Sequence, residues 1–264
     1  MAGRPTHHNH GWSGDVRDKT QVWSLRRQSP QFPFVRLGSH SNSRGDPMTD
    51  TSQAFTALIF DLDGTLIDSA PDMAHAVNLY LAAQGWPTQE TAYVARFIGH
   101  GPRRLLLDIF TDLQLPTDAA ILEAAHTAFM AQYWAQPARL TTFYPDVKAD
   151  LHSLHGAGIA LGLCTNKPQA LTLRILDQLA IAPLFSAVLG ADAVPACKPD
   201  PGHLLAVATQ MGLQPGTWAY VGDSGIDQAT ARAAEVPFFV VPWGSGPRVK
   251  VAERFRLTRL RDLI

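Results

Sequence analysis

Ala57-Leu58-Ile59-Phe60-Asp61-Leu62-Asp63-Gly64-Thr65-Leu66 is the stretch on which the fold turns. Four apolar residues in a row read as a buried strand. The chain then delivers two carboxylates two positions apart, followed by glycine. In extended backbone, residues i and i+2 project to one side. Asp61 and Asp63 therefore leave the strand end together, at the rim where open α/β sheets hold their ligands. Two close carboxylates resist joint ionisation. A hard divalent cation such as Mg²⁺, which prefers oxygen ligands, relieves that repulsion. Gly64 adopts backbone angles closed to other residues and lets a ligand come near. The plainer reading of the same letters is a strand followed by an acidic turn.

Downstream, residues 70–136 carry helical spacing with no strand pattern between. Met73, Val77, Tyr80 and Leu81 form one stripe, ending near Gly85. Leu105, Leu106, Ile109 and Leu113 form a second after Gly101-Pro102, and Ile121, Leu122, Ala125, Phe129 and Tyr133 a third after Asp118. Strand and helix signals then alternate: strands at 159–164, 187–189, 218–221 and 238–241, helices at 146–155, 169–179, 201–211 and 227–235. That rhythm predicts an α/β fold, a Rossmann-like parallel sheet with helices on both faces. The all-helical block between the first strand and the rest reads as an inserted cap. The expected organisation is a catalytic core at 48–69 and 143–264, a helical cap at 70–142, and a disordered N-terminal extension at 1–47.

Composition sets the outer limits. The chain has 264 residues, 46% of them apolar, and a net charge of −1, so no strong field toward nucleic acid follows. The balance is uneven, with seven Lys/Arg against three Asp/Glu in residues 1–47. That segment is rich in Gly, Pro, Ser, Asn and Arg and cannot bury enough surface to offset its ordering entropy. His7, His8 and His10 read as a solvated cluster, and activity is expected not to need residues 1–47. Cys164 and Cys197 make no disulfide framework. No apolar run approaches the roughly 18 residues of a membrane helix, and a cytoplasmic location is expected.

The longer string Phe60-Asp61-Leu62-Asp63-Gly64-Thr65-Leu66-Ile67-Asp68-Ser69-Ala70-Pro71-Asp72 resembles the opening of the phosphoglycolate phosphatases within the haloacid dehalogenase-like hydrolases. Three later strand ends resemble the other motifs of that superfamily, in order. Cys164-Thr165-Asn166 is similar to the second, Cys197-Lys198-Pro199-Asp200-Pro201 to the third, and Val221-Gly222-Asp223-Ser224-Gly225-Ile226-Asp227 to the fourth. The resemblance implies Asp61 as nucleophile, Asp63 as acid and base, and Lys198 as a fixed charge beside them. It implies Mg²⁺ held by Asp61, Asp223 and Asp63, the last through its backbone carbonyl. Thr165 and the backbone N–H of Asn166 would receive the phosphoryl group, and Asp227 would support Lys198 or a metal-bound water. Taken singly, Thr165 reads as a helix cap, Lys198 as a solvated lysine, and Asp227 as a favourable charge at a helix start.

The substrate implied is a small phosphorylated metabolite, 2-phosphoglycolate first. The loop Phe97-Ile98-Gly99-His100-Gly101-Pro102-Arg103-Arg104 resembles the family's Gly-x-Gly loop, with Gly99, His100, Gly101 and Arg103 expected to read the substrate and Arg96 as a further donor. The plainer reading is that the two glycines only separate helices. Rival functions are a sugar-phosphate phosphatase, a β-phosphoglucomutase-like enzyme, or a binding protein without catalysis. The enzyme is expected to act as a monomer or homodimer, with neither nucleic acid nor membrane as partner.

Overall fold

The structure, a computed structural model, describes residues 55–264. The extension expected at residues 1–47 lies outside the described residues.

The first strand, β1 (Ala57–Phe60), is wholly buried at the centre of a parallel sheet. On one side it pairs with β4 (Ala160–Cys164), which pairs with β5 (Phe185–Leu189). On the other it pairs with β6 (Trp218–Gly222), which pairs with β7 (Phe238–Val240). Alternation along each strand divides the interior in two. Leu58 and Phe60 join Leu161, Leu163, Ala219 and Val221 on one face, under helices α5 (Val147–Gly156) and α6 (Gln169–Gln178). Ala57 and Ile59 join Trp218 and Tyr220 on the other, under α7 (Pro201–Gln210) and α8 (Gly225–Ala233). A strand covered on both faces has no polar side, which is why residues 57–60 are uniformly apolar. Leu58, Ile59 and Phe60 each contribute about 1.5–3 kcal/mol on burial.

The sheet order β5-β4-β1-β6-β7 places the functional rim. From β1 the chain steps to β4 and β5, then returns to β6 and steps outward to β7. Connections diverge between β1 and β6, and a crevice opens there beyond the carboxyl ends of the strands.

The segment that leaves this rim is helical, as its periodicity predicts. Between the strands of a short antiparallel ribbon, β2 (Ile67–Asp68) and β3 (Thr142–Phe143), lie α1 (Ala70–Ala83), α2 (Thr91–Ala95), α3 (Pro102–Asp112) and α4 (Ala119–Ala135). Prolines at the starts of α1 and α3 occupy positions whose N–H would have no partner within the helix. Tyr80, Trp86 and Phe110 pack as an aromatic cluster between these helices. Buried Asp72, in the first turn of α1, accepts hydrogen bonds from the N–H groups of Leu140 and Thr141 and from the Thr141 hydroxyl, at 2.7–3.0 Å. The outgoing and returning chains are thereby tied together. Helix α2 and the ribbon are absent from the sequence reading; five and two residues are too few to show a period. Helix α8 begins at Gly225, two residues before the expected start, because Ser224 and Asp227 form a reciprocal capping box.

Candidate active site

Four loops meet at the crevice. Asp61 follows β1 and its N–H donates to Val221 O at 3.0 Å, which locks it beside β6. Asp223 follows β6 directly. The loop after β4 brings Thr165, Asn166 and Lys167; the loop after β5 brings Lys198, whose peptide bond to Pro199 is cis. All six side chains are buried.

Lys198 is the hub. Its ammonium lies 2.8 Å from Asp61 Oδ1, 2.7 Å from Asp227 Oδ1 and 2.9 Å from the Tyr220 hydroxyl. An ammonium has three donors, and these partners take all three. Asp227 is equally saturated: Oδ1 also accepts from Tyr220 at 2.8 Å, and Oδ2 from the Ser224 N–H at 3.0 Å and hydroxyl at 2.6 Å. Burial opposes its charge, but Lys198 and these hydrogen bonds hold its carboxyl below the ordinary value. Tyr220 carries no role in the sequence reading; on a strand read only as apolar, its hydroxyl gives no signal.

One oxygen each from Asp61, Asp223 and Asp227 lies within 4.8 Å of the others. Burial pushes the Asp61 carboxyl up to about 7 despite Lys198, with Asp227 adding to the rise. Burial, Asp227 and Asp61 push Asp223 up to about 8, against the Ser245 N–H at 2.8 Å and the Thr65 hydroxyl at 3.2 Å. Lys198 pairs with two of the three buried carboxylates, Asp61 and Asp227, and Asp223 adds a third, so negative charge is in excess. Gly64, at φ +88°, presses against Asp223; a Cβ there would lie 2.5 Å from its Oδ2.

Asp63 stands apart from that group. Its oxygens lie 2.8 and 3.0 Å from the Lys167 ammonium, and one accepts from the Ser69 hydroxyl at 2.5 Å. Lys167 holds the Asp63 carboxylate away from the acidic trio of Asp61, Asp223 and Asp227, and the metal contact expected of Asp63 is through its backbone carbonyl. Lys167, 4% exposed, is the main residue missed. Burial works against its charge, but Asp63 and Tyr133 more than offset it and its pKa is raised. The one available sequence signal was a Lys-Pro pair at a strand end, the same pair as Lys198-Pro199.

The cap loop is half as expected. Gly99 and Gly101 line the cavity over Asp61 and Asp63, and Asn166 Nδ2 joins Gly99 O to Lys198 O at 2.9 Å each. That uses the Asn166 side chain as a bridge between cap and core. His100 and Arg103 are not brought to the site. His100 is exposed and lines none of the described cavities. Arg103 lies on the outer face of α3 in a forked ion pair with exposed Glu123 of α4. The register of α3, set by burial of Leu105, Leu106 and Ile109, turns Arg103 outward. Arg96 lines the wider mouth, a cavity of about 490 Å³ that also meets Asp61, Asp63 and Asp223.

Residues 58–241 match the haloacid dehalogenase-like hydrolase family, and the chain belongs to it. It is an enzyme, a phosphoric monoester hydrolase similar to the phosphoglycolate phosphatases. The phosphoglycolate phosphatase of Cereibacter sphaeroides is 41% identical over 181 residues, 69% of this chain and 82% of that protein. That of Caulobacter vibrioides is 38% identical over 187 residues, 71% and 79%. The crystal structure of a predicted phosphoglycolate phosphatase from Haemophilus somnus 129PT superposes with a TM-score of 0.71 at 28% identity, covering 81% of this chain and 98% of that one.

Proposed function

We propose that the enzyme hydrolyses 2-phosphoglycolate to glycolate and phosphate through an aspartyl-phosphate on Asp61, with Mg²⁺ bound beside it. The observation that carries this reading is the Asp61 carboxylate held by Lys198 in a buried, over-acidic crevice, with Asp63 two residues on. Similarity to the named phosphatases supports the choice of substrate.

Asp61, oriented by Lys198, attacks phosphorus in line as the bond to the leaving oxygen breaks. Asp63 gives that oxygen a proton, and glycolate departs. A water then loses a proton to Asp63 and attacks the acyl phosphate, releasing inorganic phosphate and restoring Asp61. Thr165 and the N–H of Asn166 donate to the phosphoryl oxygens, and Lys198 supplies fixed positive charge. The excess carboxylate fits a divalent cation: Asp61, Asp223 and the backbone carbonyl of Asp63 would hold Mg²⁺, with Asp227, already saturated, leaving its oxygens to Lys198. When bound, the ion neutralises charge on the transferring group. The cap is taken as residues 70–142 and the core as 48–69 and 143–264.

The test is phosphate release by the full chain with Mg²⁺ from a panel of small esters. The expected result is the highest kcat/KM on 2-phosphoglycolate. A sugar phosphate preferred over it by tenfold or more, about 1.4 kcal/mol, would overturn the substrate assignment. Transfer of the phosphoryl group to a second sugar phosphate would make the enzyme a mutase.

A further inference from the structure

Beneath the Gly99–Gly101 loop the crevice narrows into a cavity of about 30 Å³. Space of that size holds roughly two waters. Met73, Ile98, Leu105, Phe129 and Leu171 give it apolar walls, and Asp61 and Asp63 lie at its base. Two polar groups also line it and are not used up by the protein.

The first is Tyr133 of α4. It is 1% exposed, and its hydroxyl makes no hydrogen bond of standard geometry among the described residues, the nearby Lys167 ammonium acting on it by charge. Buried hydroxyls normally make such a bond. The second is Lys167, whose ammonium sits 4.7 Å from the centre of the Tyr133 ring. Of its three donors, the two Asp63 oxygens engage two. Lys198, by contrast, has none to spare. The other orphan atom on these walls, Asn166 Oδ1, is an acceptor. It repels an anion from its own side and leaves the Tyr133–Lys167 side as the place for one.

Resting on the phosphoglycolate reading above, we infer that Tyr133 and Lys167 form a receptor for the carboxylate of the leaving group. The Tyr133 hydroxyl and the spare Lys167 donor take the two carboxylate oxygens while the phosphoryl group lies against Asp61. A carboxylate on a one-carbon stem suits so small a space; a sugar ring would have to lie in the wider mouth instead, away from Tyr133 and Lys167. The receptor selects phosphorylated hydroxy acids over esters of similar size that lack the second anion. It also gives the cap a direct part in recognition, because α4 supplies one donor and the core the other.

The experiment compares 2-phosphoglycolate, 2-phospholactate and ethyl phosphate as substrates of the full-length wild type, Tyr133→Phe and Lys167→Gln, with thermal melts to verify folding. The readout is the ratio of kcat/KM for each acid to that for ethyl phosphate, so a general loss of rate cancels. The wild type is expected to prefer phosphoglycolate, and Tyr133→Phe to lower that ratio about tenfold, the scale of one hydrogen bond to a charged group. Lys167→Gln is expected to lower it further. A wild-type ratio retained in both variants overturns the receptor and leaves the phosphoglycolate reading standing. A preference for phospholactate, lost in Tyr133→Phe, supports the receptor and overturns phosphoglycolate as the substrate. No wild-type preference for either acid overturns both.

Discussion

Asp227 Oδ1 stands 2.7 Å from the ammonium of Lys198 and Asp61 Oδ1 2.8 Å, so a residue with no expected contact to phosphorus shares the lysine with the nucleophile. Asp227→Asn keeps the shape but removes the charge. With one buried partner gone, Lys198 and Asp61 are left to each other in a site built for a trio. Breaking a buried pair costs about 3–5 kcal/mol, and the polar asparagine should recover part of it. The expected result is a lower melting temperature and a kcat reduced by about 10- to 100-fold, with KM changed less. Steady-state kinetics and a thermal melt check this; unchanged kcat would show that Lys198 needs no second partner.

Asp61→Asn tests the nucleophile itself. The substitution leaves size and hydrogen bonding nearly intact, so the fold should persist. Turnover should fall by roughly 10⁶-fold, the scale seen when a nucleophile is removed. Intact-protein mass spectrometry after acid quench should find a phosphorylated species in the wild type and none in the variant. A variant that still turns over would place the attacking group elsewhere.

The acidic crevice makes stability depend on pH in an unusual direction. Asp61 and Asp223 titrate near 7 and 8 in the metal-free fold, far above their unfolded value of 3.8. Over that interval the native state binds more protons than the unfolded chain, so stability falls as pH rises. His203, fully buried and pushed down to about 4, acts oppositely below 6.5. The clean window is therefore pH 6.5 to 8. In it, the melting temperature of the EDTA-treated protein should decline, and the gain on adding Mg²⁺ should grow. A gain independent of pH would separate the cation from these carboxylates.

How much of this was legible in sequence depends on what kind of signal each residue carries. β1 and its two carboxylates were plain because a four-residue apolar run and an i, i+2 acidic pair both appear in one dimension. Both faces of the sheet followed from the strand–helix alternation. Lys167 was not legible: a lysine beside a proline is usually solvated, and its burial comes from residues distant in sequence, Asp63 and Tyr133 among them. Tyr133 itself falls in the apolar stripe with Ala125 and Phe129, where its hydroxyl is silent. Arg103 misled for the opposite reason. Its neighbourhood of glycines suggested a ligand loop, whereas the rotation of α3 about its axis, fixed by three-dimensional burial, sent it to Glu123.

Gly64→Ala offers a test of how closely the first loop is fitted to the metal residues. At φ +88° an alanine costs about 1–2 kcal/mol, and its methyl would fall 2.5 Å from Asp223 Oδ2. Asp223 has to move. The variant should fold with a lower melting temperature and lose most of the Mg²⁺-induced gain as well as activity. Loss of stability with an undiminished response to Mg²⁺ would show that Asp223 is not required for binding the ion.

Asp72 gathers Leu140 and Thr141 onto the first turn of α1, so the polypeptide departs from and re-enters the sheet rim through one knot. Two loose ends would leave the helical segment free to sit in many places over the rim; a shared anchor narrows the choice and favours the one in which Gly99 meets Asn166 and Tyr133 meets Lys167. Alignment of the two halves is thus inherited from a carboxylate that need never meet the substrate.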